Sequence, residues 1–109
     1  MMIRGAIEVA GPGSVVGWMY CAEFPLTGQT VVAYIGHRSI GSGKIDLYRP
    51  DLHRVGLGDG TCGFNFRVRT TEADNLGSIV VRLQRSDLIL AQPGRVILDG
   101  AAKRDGDAT

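Results

Sequence analysis

The chain has 109 residues, enough for one domain with a sizeable hydrophobic core that needs neither metals nor cross-links. Twelve Lys and Arg against eleven Asp and Glu leave a net charge of +1, so no global field gathers nucleic acid or an anionic membrane. No run approaches the roughly 18 apolar residues that cross a bilayer, and the opening Met1 to Ala6 leads straight into a strand pattern without a secretory apolar region; the expectation is a cytoplasmic chain with no membrane insertion.

In chain order, residues 3–9 set Ile3, Ile7 and Val9 against Arg4 and Glu8, a period-two strand pattern. A Gly11-Pro12-Gly13-Ser14 turn leads to a second strand ending at Cys21, and the two predict a hairpin. On that strand Trp18 and Tyr20 share a parity, which assigns them to the inward face, with Trp18 as a core anchor, and turns Cys21 away from the core. Residues 30–35 and a segment from about 38 to 47 flank Gly36-His37, a Gly-X pair suited to a type II′ turn, and form a second hairpin. Residues 50–55 read as one helical turn, with Pro50 at the first position and Gly56 as the stop. Glycines 56, 58, 60 and 63 then shape a compact corner that opens into a strand at about 63–69.

Further strands follow at about 78–84 and 94–98, with a marginal one at 88–91. Seven or eight strands with frequent turns and no long helical period predict an all-β, antiparallel β-sandwich over residues 1–99. Residues 100–109 lack apolar periodicity and read as a mobile tail. If Phe64, Phe66 and Val68 face the core, Cys62 leans inward with them. Two separate thiols are the simpler reading of Cys21 and Cys62, and a disulfide is the alternative that a reducing compartment disfavours.

Chemistry-bearing constellations are scarce. Arg49, Asp51 and Asp59 suit an ion-pair cluster bracing the helical turn against the glycine loop, a structural corner more than a ligand site. Asp46, Asp51 and Asp59 match no calcium loop, and His37 and His53 have no metal-ligand spacing. The chain has no nucleophile elbow, and Gly41-Ser42-Gly43-Lys44 lacks the upstream half of a phosphate loop. The sequence therefore predicts a non-catalytic protein without cofactor or metal. The surface best suited to a ligand combines Asn65, Arg67 and Arg69 on one strand face with Tyr34 as a stacking aromatic, a set that would serve a glycan. Arg82 and Arg85 extend the same basic stripe.

The ordered set Val16-Gly17-Trp18, a glycine-turn hairpin, Arg49-Pro50-Asp51-Leu52, Gly56, Gly58-Asp59-Gly60 and Gly63-Phe64 resembles a small bacterial β-sandwich module that occurs alone or beside glycosyltransferase and other glycan-related domains. The resemblance covers roughly residues 5–70, with departures at Met19, Cys21 and Cys62. It implies an immunoglobulin-like, non-catalytic accessory fold, and with it a binding module that is glycan-directed or accessory to glycan-processing proteins. The alternative is an interaction or assembly module that pairs through an edge strand, either residues 3–9 or Arg95-Val96-Ile97-Leu98, as a homodimer or with another protein.

Overall fold

The computed structural model describes residues 3–98. Among these residues eight strands form two antiparallel sheets: β1 (Ile3–Ala10), β2 (Ser14–Cys21), β3 (Thr30–Ile35), β4 (Arg38–Lys44), β5 (Gly63–Arg67), β6 (Val80–Leu83), β7 (Leu88–Ala91) and β8 (Arg95–Leu98). The smaller sheet runs β1-β2-β5 and the larger β4-β3-β6-β7-β8. The chain leaves the first sheet after β2, builds the β3–β4 hairpin in the second, returns as β5 beside β2, and crosses again to lay β6 beside β3. This is the order of an immunoglobulin-like sandwich. One helical turn, α1 (Pro50–Arg54), lies between β4 and β5, and a 3₁₀ turn at Leu76–Ser78 precedes β6. The expected tail 100–109 lies outside the described residues.

The β3–β4 link is the two-residue turn expected at Gly36-His37: Ile35 pairs with Arg38, and Gly36 has φ +61° while His37 has no positive φ. That combination fits type II′.

Between the sheets, Val15, Met19, Ile45, Phe64, Ile79, Val81 and Leu90 are fully buried, joined by Phe66 and Val68. The face assignment of β2 is the reverse of the sequence expectation. Val15, Gly17, Met19 and Cys21 point inward, whereas Trp18 and Tyr20 are only half-buried on the opposite side. Gly17 fits this choice, because a Cβ there would lie 2.2 Å from the Ala6 carbonyl oxygen and 2.9 Å from Phe64 Cζ, so the missing side chain makes room for the β1 backbone and the Phe64 ring. Cys21 is therefore buried, as is Cys62, and both are free thiols. A register shift between Ile7 and Val9 likewise overturns the simple alternation of β1 and leaves Val9 exposed.

The two open sides of the sandwich are closed differently. Where β4 meets β5, a Cβ on Gly41 would stand 2.2 Å from the Arg67 carbonyl oxygen and one on Gly43 2.6 Å from Phe66 Cβ, so this close approach needs glycine at both positions. On the other side Ile7 N donates to Pro93 O at 2.7 Å, tying the β7–β8 turn to the edge of β1. As expected, β1 and β8 are edge strands. Among the described residues, no helix is long and apolar enough to cross a membrane.

Candidate functional site

The corner between α1 and β5 is built as an internal brace, with one change of partner. Arg49 holds Asp51 through two hydrogen bonds of 2.9 and 3.0 Å, and Glu8 of β1 through two more of 2.7 and 3.0 Å. These paired contacts hold the guanidinium well above its usual pKa, with the Glu8 bond as the largest cause and Asp51 next. Asp59 does not join them. It accepts from the Thr61 backbone N–H at 2.9 Å, a local turn contact that lowers its pKa, while the carboxylate that completes the cluster comes from Glu8, 41 residues from Arg49. Beside the brace, Tyr48 Oη and His53 Nδ1 lie 2.9 Å apart with the rings edge-on.

The ligand face expected from the sequence is not assembled. Asn65 and Arg67 are exposed on β5 of the smaller sheet, and Arg69 follows it. Tyr34 belongs to β3 of the larger sheet, where its inward neighbours Val31 and Ala33 are fully buried and its own ring turns to the outer face. The two parts of the set therefore lie on opposite sides of the sandwich. Arg82 is on the same outer face as Tyr34, opposite Ile89, and its Nε donates to Ser86 O; the single basic stripe is thus broken between sheets. Arg67 and Arg69 do share a groove of about 710 Å³ with Gly13, Ile40, Gly41 and Val68.

Another site emerges at the opposite end of the strands, where the 22–29 loop, the α1 corner and the β6–β7 turn gather. Thr27 Oγ1 donates to Thr61 O at 2.8 Å, joining the first two. Between the 22–29 loop and the β6–β7 turn opens a pocket of about 380 Å³, lined by Ile3, Phe24, Leu26, Gln29 and residues 83–88. That volume falls within the roughly 300–1,000 Å³ of small-molecule sites. Leu26, Leu83 and Leu88 are 4, 8 and 2% exposed and form its inner wall. Phe24, 46% exposed, stands at the rim with Gln29, Gln84, Arg85 and Asp87.

The β6–β7 turn that carries three of these five rim residues is tightly fixed. Ser86 Oγ donates to Leu83 O at 2.9 Å and accepts from Leu88 N at 3.0 Å, and the Ser86 N–H also reaches Leu83 O. Arg85 has φ +64°, the one described non-glycine residue in the left-handed region. An L-residue there costs about 1–2 kcal/mol that glycine would avoid, and such strain concentrates where a side chain has a task. The side chains of Gln29, Gln84, Arg85 and Asp87 have no hydrogen-bond or ion-pair partner among the described residues.

This pocket was not legible from single motifs, because its residues come from three separate segments. The one local signal was Phe24, an aromatic placed in a loop before Pro25 with no strand to claim it. Among the described residues no three His, Cys, Asp or Glu side chains gather as a metal set. No known protein family, curated protein or solved structure matches the chain.

Proposed function

We propose that this protein is a non-catalytic binding module that holds a sugar ring of a glycan in the end pocket. The observation that carries the reading is the composition of that pocket: an exposed aromatic face, an apolar wall and four polar side chains on loops that are engaged by no other side chain or backbone group among the described residues. Sugars offer an apolar C–H face and a fringe of hydroxyls. Phe24 suits the first, and the amides of Gln29 and Gln84 with the Asp87 carboxylate suit the second. The test is a glycan array read with the native chain and with Phe24→Ala. Native binding that falls about tenfold in the variant, with an unchanged circular dichroism spectrum, supports the reading. An array without any binding, or binding indifferent to Phe24, overturns it.

A second reading, an interaction module, has its own observation. The outer face of the larger sheet carries Val32, Tyr34, Val80, Ile89 and Ile97, half-buried and apolar, and runs out to the edge strand β8. An apolar face beside an unpaired edge suits strand addition or a second copy of the chain. Light scattering at high concentration distinguishes the readings: a dimer supports this one, and a strict monomer with no captured partner removes it.

A further inference from the structure

We infer that the end pocket selects an acetamido sugar, a ring carrying an N-acetyl group in place of a hydroxyl, and that the acetyl methyl seats against Leu26, Leu83 and Leu88. The inference rests on the glycan-binding reading and adds the class of ring.

The wall decides which substituent points inward. Leu26, Leu83 and Leu88 are buried members of the core, Ile3 packs against them, and none offers a hydrogen-bonding side chain. A hydroxyl pushed against this wall would give up water without replacing it, whereas a methyl group gains from the same move. The next layer outward is amide-rich. Gln29 and Gln84 each present two N–H donors and one carbonyl acceptor, the complement of the single N–H and C=O of an acetamido group, and neither side chain is occupied by another group among the described residues. Phe24 is left for the ring face.

The rim also argues against a charged ligand. Arg85 and Asp87 stand two residues apart on the same turn with opposite signs, so the mouth has no net charge with which to choose an anion or a cation. Polar atoms surround the entrance on both loops, which disfavours a long acyl chain that would leave those groups unpaired. A neutral ligand with one apolar appendage and several polar atoms satisfies wall and rim together.

Matched pairs of methyl glycosides test this on the full chain: N-acetylglucosamine against glucose, and N-acetylgalactosamine against galactose, each titrated while amide shifts are followed by NMR. Within each pair the ring differs only in the acetamido group. At least one acetamido member should bind about tenfold or more tightly than its hydroxyl partner, a discrimination expected when a site matches both a methyl and an amide. That preference should shrink in Gln84→Ala, an exposed position whose loss leaves the fold intact. Equal affinity within both pairs overturns the acetamido inference and leaves glycan binding standing. No binding by any of the four, together with a blank glycan array, overturns both.

Discussion

Phe64→Ala probes the packing that holds the two sheets together. Phe64 is fully buried, its ring sits over Gly17, and its centroid lies 5.9 Å from that of Phe66. Removing the ring forfeits a transfer term of about 2–3 kcal/mol for a fully buried aromatic. The Gly41 and Gly43 contacts already bring β4 against β5 with no side chain to rearrange, so the walls around the ring have little freedom to collapse. The cavity therefore persists and adds roughly 1–2 kcal/mol, for a total of about 3–5 kcal/mol. Against a domain stability of about 5–15 kcal/mol this is a large fraction, and the melting midpoint should fall by some 15 °C or more. Urea denaturation followed by the fluorescence of Trp18, the single tryptophan, measures it directly. A loss below about 1 kcal/mol would refute the reasoning, because it would mean that Phe64 is peripheral or that the cavity fills at no cost.

Other perturbations separate the remaining parts of the account. Arg49→Ala removes both carboxylate pairs of the corner and should destabilise by about 1–2 kcal/mol in the same assay, an amount discounted because the partners are partly exposed; Asp59→Ala should have a visibly smaller effect. Gly43→Ala drives a Cβ to 2.6 Å from that of Phe66 and should lower the melting temperature more than an alanine at exposed Gly77, which has no positive φ and where the nearest atom is the Asn75 side-chain oxygen at 3.3 Å. Both thiols should resist alkylation in the native protein and react fully in denaturant, since Cys21 and Cys62 are buried and burial pushes the Cys62 thiol up; rapid native modification of Cys21 would restore the outward assignment. Asp51, Asp59 and Asp74 are all held below the ordinary value of 3.8, by the Arg49 side chain, the Thr61 backbone N–H and the Thr71 backbone N–H respectively. The unfolded state then binds more protons than the native state in acid, so their stabilisation is complete above the ordinary value and is lost as pH falls through the lowered ones; melts recorded from pH 6 down to pH 2 should show that decline.

Strand positions were readable because glycine-rich turns punctuate period-two runs: Gly36-His37 sets Ile35 opposite Arg38, and the β3–β4 register holds from there until it shifts between Tyr34 and Ala33. Face assignment failed where both parities of a strand are apolar. On β2 the large aromatics Trp18 and Tyr20 looked like core residues, yet Phe64 from β5 needed the space that Gly17 leaves, and a non-local partner decided the orientation. Arg49 announced a brace, but its second carboxylate is Glu8, brought near only when β1 pairs with β2 and β2 with β5. The Tyr34, Asn65, Arg67 and Arg69 set failed for the same reason, since parity places residues on a face and says nothing of which sheet the strand joins. The end pocket needs Ile3, the 22–29 loop and the β6–β7 turn at once, and no window of sequence contains that coincidence.

The most direct test of the central claim is an NMR map of amide shift changes on adding a glycan that the chain binds. The end-pocket account predicts that the largest changes fall on Phe24, Gln29, Gln84, Arg85, Ser86 and Asp87, while the groove at Gly13, Ile40, Arg67 and Arg69 stays still. Changes centred on Arg67 and Arg69, or on Tyr34 and the outer face of the larger sheet, would contradict it.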